Sequence, residues 1–388
     1  MIRCLNDNND IMAVLENSYD KKEVIIAYDS NDYIKSLYDP LTDLHNLNNK
    51  RVIGYISYDS IRYWEKIKYK PIELENWPFA EFFSPKKTII IKDKVNFSDD
   101  DEKSCINYHN KDKFKVKEYD YSHKKEDYEY DVNEILKYIH SGYAFQVVLS
   151  RFLRYSFSGD PLELYLKLRK ISPSPYLYFL KFYKRYIIGA SPELLFELNN
   201  NDLITYPIAG TRPRGKSSQE DIVLENELRN STKDRAEHLM LLDLARNDLG
   251  KVCAPGTVDV PESFFIKKYS HVQHIVSKVV GKLDENKNVL DVIKAMFPAG
   301  TVSGAPKPFS MNLINSLEIY NRGPYAGAVG YISKSRSSLA ISIRSAFINN
   351  DLIRIQAGAG IVYDSIPELE YEETEHKLKS LKVSMGVK

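Results

Sequence analysis

Apolar residues along this chain recur in two rhythms, and the switches between them predict the elements. Residues 51–59 alternate apolar and polar positions, the period of a half-buried strand. Residues 126–140 carry apolar positions at helical spacing and close at Ser141-Gly142. Residues 145–152 follow as a β-branched and aromatic strand. Ser217-Ser218-Gln219-Glu220 has the form of a capping box. It opens a mostly helical stretch ending near Leu249, with Gly250 placed to terminate it. Strand-like runs return at 326–332, 339–348 and 352–356, and residues 367–383, rich in Glu, Lys and Leu, read as a final helix. Strands mixed with grouped helices predict an α+β architecture.

Composition changes this picture in one place. Residues 93–131 are dense in Lys, Asp, Glu and Ser, which reads as a solvated segment with at most short strands. The expected organisation is an N-terminal region over 1–92, a charged connector over 93–124 and a large region over 125–388. Hydrophobic residues at 43% and charged residues at 28% of the 388 exclude a disordered chain. The net charge of +1 offers no global field for nucleic acid or an anionic membrane. The first residues lack a signal-peptide pattern and no apolar run reaches membrane-spanning length. The three cysteines, Cys4, Cys105 and Cys253, have no CxxC spacing, which argues against a disulfide framework or a cysteine-rich zinc site. The cytoplasm is the expected location.

Chemistry enters with the last helix. Glu370, Glu373 and Lys377 stand at i, i+3 and i+7, on one helical face. Asp234 and Glu237 form a second acidic pair ahead of Leu239-Met240-Leu241-Leu242. Carboxylate oxygens of this kind suit Mg2+, although Glu373 and Lys377 taken alone read as a solvated i, i+4 pair. Small-residue loops occur at 209–215, with Arg212 and Arg214 able to fork onto carboxylates, at 297–307 and at 357–362. Each taken alone is an ordinary turn. Neither GxGxxG nor GxxxxGKS is present, so nucleotide binding has no positive support.

Residues 208–215, 236–250, 298–307, 358–362 and 370–377, in that order, together resemble the chorismate-utilising enzymes, the anthranilate, aminodeoxychorismate, isochorismate and salicylate synthases. The resemblance runs from about residue 125 to the end, and residues 54–65 are similar to that family's N-terminal region. It implies two large, mainly antiparallel sheets with helices outside and the active site in the cleft between them. It implies Mg2+ on Glu237 and Glu373, with Asp234 and Glu370 behind them. It places Gly210, Thr211, Thr301, Tyr325, Arg344, Gly358, Ala359, Gly360 and Lys377 around the substrate chorismate. Glu193 matches the general acid for the departing C4 hydroxyl and His274 the histidine that moves protons at the ring.

Within the family, Gln146 stands where isochorismate and salicylate synthases carry a water-activating lysine, and Ala209 where aminodeoxychorismate synthases carry a lysine nucleophile. Neither side chain can do those tasks. The resemblance therefore implies attack by ammonia and release of anthranilate and pyruvate. Alternatives are an enzyme stopping at 2-amino-2-deoxyisochorismate, an aminodeoxychorismate synthase component, or a catalytically idle chorismate- or tryptophan-binding regulator. No cysteine has the setting of an amidotransferase nucleophile, so a separate glutamine amidotransferase subunit is the expected partner, in a hetero-oligomer. The family's tryptophan site would fall at Asn17, Pro175, Tyr176 and Leu177. Its usual motifs are altered at Asn17, Ser172 and Leu177, so weak or altered feedback is expected.

Overall fold

A computed structural model describes residues 2–19, 22–46, 50–68, 71–92, 114–269 and 272–387. The strands are β1 (Ile11–Asn17), β2 (Glu23–Ser36), β3 (Val52–Ile56), β4 (Ala80–Lys92), β5 (Lys115–Tyr121), β6 (Gln146–Ser158), β7 (Tyr176–Phe182), β8 (Arg185–Ser191) and β9 (Leu194–Asn199). They continue with β10 (Asp202–Thr205), β11 (Ile208–Pro213), β12 (Asp259–Lys268), β13 (Val272–Lys282), β14 (Gly304–Ala305), β15 (Ala328–Ile332), β16 (Arg336–Ile341), β17 (Ser345–Asn349) and β18 (Leu352–Ile361). The longer helices are α1 (Lys125–His140), α2 (Pro161–Ile171), α3 (Ser218–Asn230), α4 (Thr232–Gly250), α5 (Lys307–Leu317) and α6 (Pro367–Met385).

Every strand pairing is antiparallel, and the ladder runs β5–β6–β18–β17–β8–β7–β1–β2–β4–β3–β15–β16–β9–β10–β13–β12. β11 continues along β13 beyond β10, and β14 extends the β5 edge of β6. The ladder bends through β1, β2 and β4, and its two halves face each other. Phe182 of β7 shows the contact, its ring lying 5.9 Å from Tyr55 of β3 and 6.0 Å from Phe83 of β4. The expected two-sheet α+β fold is present, with its sheets joined as halves of one ladder.

β7 explains why its sequence is apolar without a break. Tyr178, Leu180 and Phe182 enter the core between the halves. Leu177 and Phe179 point the other way, into a layer completed by Leu162, Leu164 and Leu168 of α2 and Leu378 and Leu381 of α6. A strand covered on both faces needs no polar alternation. Burying each such side chain contributes about 1.5–3 kcal/mol. A third cluster packs Tyr128, Val132 and Ile135 of α1 on Val147 and Leu149 of β6.

Several boundaries differ from expectation for local reasons. The 217–249 stretch is two helices, broken at Ser231, whose hydroxyl accepts the Asp234 N–H at 3.2 Å and starts α4 afresh. Ser217 caps Glu220 N–H as the capping box requires, but the Glu220 carboxylate takes the N–H of Lys216 instead of Ser217. Gly250 does not stop α4; it is the last helical residue, and Lys251 follows in right-handed conformation. The 339–348 run is two strands, separated where Arg344 adopts φ 53°. Of the charged connector, 93–113 lie outside the described residues, while β5 pairs with β6. Cys253 is free and buried, and Cys105 lies outside the described residues. Among the described residues no helix is long and apolar enough to cross a membrane.

Candidate active site

Glu193 sits at the step between β8 and β9. Its N–H meets Ser191 Oγ at 3.3 Å and its carbonyl accepts the Ile341 N–H at 3.0 Å, which fixes the backbone. The side chain lines a cavity with Thr301, Leu241, Leu244 and Met296. Burial pushes its carboxyl up to about 7, against the opposing pull of the Thr301 hydroxyl and the Lys377 charge. An acid enclosed in this way keeps its proton near neutral pH and can give it to a leaving group. The loop bearing Thr301 is pressed onto α4: a Cβ on Gly300 would lie 2.0 Å from Leu244 Cδ2.

His274 of β13 places Nδ1 2.9 Å from the Gly210 carbonyl and 3.1 Å from Thr211 Oγ1. The carbonyl can only accept, so the hydrogen-bond network assigns the proton to Nδ1. Burial, with Arg344 nearby, holds the ring's pKa below its ordinary value despite the Gly210 bond. A neutral ring protonated on Nδ1 has Nε2 as a free base. Gly210 lies at a bulge of β11 with φ +66°, where a side chain would meet Leu228 and Asp234. That accounts for glycine at this position.

α4 brings Glu237 and Asp234, and α6 brings Glu370, Glu373 and Lys377. Lys377 Nζ lies 2.6 Å from Glu373 Oε1 and donates to the Gly358 carbonyl at 2.8 Å. Glu237 is raised to about 7 by burial first and then by the charges of Glu373 and Asp234. Glu370, buried, is also raised by burial, with Ser365 opposing. Asp234 is held by Arg212 at 3.1 Å. Carboxylates from two helices that repel each other suit a hard divalent cation, and the donor set of Glu237 and Glu373 fits Mg2+. No three acidic, histidine or cysteine side chains converge on one point among the described residues. A cation here would therefore take its remaining ligands from water and substrate.

Arg344 Nη1 donates to the Lys377 carbonyl at 3.1 Å, and burial lowers its pKa although Glu373 and Tyr325 oppose this. Tyr325 is buried, and a Cβ on Gly358 would lie 3.0 Å from its hydroxyl oxygen. A Cβ on Gly360 would lie 2.3 Å from Gln146 Nε2. Ala359 differs from its neighbours: its methyl is in the core packed on α1, leaving only its backbone to the site. Thr211 is exposed. Electrostatic and hydrogen-bond contacts thus link Glu193, His274, Glu237, Glu373, Arg344, Tyr325 and Lys377 into one neighbourhood.

A second cavity is lined by Asn17, Tyr176 and Leu177 with Leu15, Glu16 and Tyr331. Pro175 stands beside it, its carbonyl accepting the Ser18 N–H at 2.8 Å. Sequence reasoning missed the buried supports of the site. Asp248 and Lys307 pair inside the protein. Glu318 pairs with Arg322, which donates to the carbonyls of Val302 at 2.6 Å and Val148 at 2.8 Å. The only signal for Lys307 was its place at the end of the 298–307 loop. Tyr269, whose ring meets His274 at 5.7 Å, was also missed.

A half-buried acid, a histidine whose pKa burial lowers, facing carboxylates and a half-buried arginine stand together, an arrangement suited to a small anionic substrate. The chain belongs to the chorismate binding enzyme family, whose model matches residues 10–383. It is 54% identical to anthranilate synthase component 1 of Saccharolobus solfataricus, over 100% of this chain and 97% of that protein. It is 44% identical to anthranilate synthase component 1 of Aeropyrum pernix, over 86% of this chain and 77% of that one. The crystal structure of anthranilate synthase component I from Streptococcus pneumoniae TIGR4 superposes with a TM-score of 0.83 at 32% identity, covering 94% of this chain and 93% of that one.

Proposed function

We propose that this chain is the chorismate-binding component of an anthranilate synthase, a cytoplasmic lyase that makes anthranilate and pyruvate from chorismate and ammonia. The observation that carries the reading is Glu193, enclosed beside Thr301 and raised to about 7, near a histidine held neutral with Nε2 free. The full-length identity to a component 1 relative supports it.

Arg344, Tyr325 and the backbone of Gly358 and Gly360 hold the enolpyruvyl carboxylate. Glu237 and Glu373 would hold Mg2+, which supplies neutralising charge for the ring carboxylate. Glu193 gives its proton to the C4 oxygen as the C4–O bond breaks and ammonia bonds to C2, so water departs. His274 takes the proton from C2 when the enolpyruvyl group leaves, and the ring becomes aromatic. Gln146, buried and uncharged, cannot activate water, and Ala209 cannot form a covalent adduct. These two residues support ammonia as the nucleophile.

A glutamine amidotransferase subunit is the proposed source of that ammonia, in a hetero-oligomer. Free Cys253 is buried and burial pushes its thiol up to about 11, the opposite of what a glutamine-cleaving nucleophile needs. The test supplies the purified chain with chorismate and Mg2+, then with ammonium at alkaline pH or with glutamine. Product should form with ammonium alone and disappear on adding EDTA. Product from glutamine without a partner, or full activity in EDTA, would refute the reading.

A further inference from the structure

Arg151 of β6 has no part in the steps above, yet its buried side chain grips the helix that carries half of the site. It is 2% exposed. Its Nε donates to Thr374 Oγ1 at 2.7 Å, and its Nη2 donates to the Glu375 carboxylate. The guanidinium also lies over the Tyr371 ring, 4.3 Å from the centroid. These three partners alternate along α6 with Glu370, Glu373 and Lys377. At about 3.6 residues per turn the two sets point about a third of a turn apart, so a rotation of α6 about its axis carries both together. Turning the helix by about 10° would move a carboxylate about 6 Å from the axis by roughly 1 Å. A misplacement of about that size can cost about 100-fold in rate.

The strand end of this bridge also belongs to the site. Arg151 stands opposite Ala357 in the β6–β18 ladder, beside Gly358, whose carbonyl accepts from Lys377 Nζ at 2.8 Å. The guanidinium therefore joins the glycine wall of the site to the helix that bears its acids. Thr374 is fully buried, and its own hydroxyl proton goes to the Tyr371 carbonyl at 2.7 Å, which leaves Oγ1 to accept from Arg151. Glu375 is steadied from the other side by Lys382 at 2.7 Å. We propose that Arg151 is a positioning residue: through Thr374, Glu375 and Tyr371 it sets the rotation of α6, and so holds Glu373 and Lys377 in place against Gly358. It touches neither the substrate nor the reacting atoms. Its effect on the cation rests on the reading of Glu237 and Glu373 as the site that holds it. A planar fork is needed to reach two partners on one helix face, and a lysine ammonium lacks it.

Three variants test this. Arg151→Lys keeps the charge without the fork, Thr374→Val keeps the shape without the acceptor, and Thr374→Ser keeps the acceptor. Binding of Mn2+, followed by the electron paramagnetic resonance of the free ion, needs no turnover. Its Kd should rise by about 10-fold or more in Arg151→Lys and Thr374→Val and stay near that of the unsubstituted chain in Thr374→Ser. Crystal structures of the two weakened variants should show α6 turned and the bond from Lys377 Nζ to the Gly358 carbonyl lost. If Arg151→Lys does not fold, the two Thr374 variants decide the matter. A purely structural Arg151 would lower the denaturant midpoint in Thr374→Val while Mn2+ affinity and the Lys377 bond stayed as they are, and that result overturns the proposal. Weak Mn2+ binding in Thr374→Ser overturns it too. If the unsubstituted chain binds no Mn2+ even with chorismate, the cation reading fails, while the position of α6 in the crystal structures still decides the role of Arg151.

Discussion

Glu318 is buried inside the scaffold, and Glu193 stands half-buried in the wall of the site. Both oxygens of Glu318 are occupied: Oε1 takes Ser150 N–H at 2.8 Å and Arg322 Nη2 at 2.6 Å, and Oε2 takes Arg322 Nε at 2.8 Å. Glu193 has no ion pair among the described residues and is raised to about 7 by its burial. The same contrast separates Asp248, paired with Lys307, from Glu237, which faces other carboxylates. Glu318 and Asp248 in the scaffold are paired, whereas in the site Glu193 and Glu237 have no ion pair among the described residues, although their neighbours Glu373 and Asp234 do. Unpaired acids cost stability, and they are what a proton donor and a cation site require.

The sharpest way to break this contrast is to remove a partner from the scaffold. Arg322→Met leaves Glu318 buried and uncompensated, which should destabilise the fold by about 3–5 kcal/mol. A denaturant midpoint close to that of the unsubstituted chain would contradict the scaffold role. In the site the expected loss is of activity and not of fold. Glu237→Gln and Glu373→Gln should each lower turnover by roughly 100- to 1000-fold, as when a transition-state charge stabiliser is removed, with circular dichroism unchanged. Near-normal rates in either variant would remove the cation from the account.

His274→Ala should depress anthranilate formation by roughly 100-fold, the effect of losing a general base. A variant at wild-type rate would leave this histidine with only its bonds to Gly210 and Thr211. The smallest effect has the opposite sign. The folded-state pKa of Glu193, about 7, exceeds its ordinary 4.5, so between those values the unfolded chain ionises while the folded one keeps its proton. Stability is therefore lost as pH rises from about 4.5 to about 7 and stays lower above that. Glu193→Gln, always neutral, should be more stable than the unsubstituted chain by about 1–3 kcal/mol at pH 8 and indistinguishable at pH 4. Thermal unfolding at the two pH values checks this.

Elements with strong local patterns were legible in the sequence. The helical spacing at 126–140 and 367–383 gave α1 and α6 to within two residues. The β-branched runs gave β6 and β18, both of which extend further than expected because they pair with each other over ten residues. The resemblance brought Glu193, His274, Glu237 and Glu373 into view, and the fold places them in one neighbourhood. Other features depend on contacts distant in sequence. Asp248 and Lys307 are 59 residues apart and Ser150 and Glu318 are 168 apart, so no periodicity joins them. The left-handed turn at Arg344 interrupts a run that reads as one strand because only tertiary packing selects it. Tyr269 was hidden because a tyrosine beside a strand resembles any other, until its hydroxyl is found sealed without a partner.

The most direct measurement is identification of the product. The purified chain, chorismate, Mg2+ and ammonium at alkaline pH are incubated together, and the product is followed by fluorescence and separated by chromatography. The account predicts anthranilate and an equal amount of pyruvate. Accumulation of a non-aromatic amino-diene with no pyruvate would show that the ring proton is not removed and contradict the assignment to His274. Isochorismate as the product would show that water is the nucleophile and contradict the reading of Gln146.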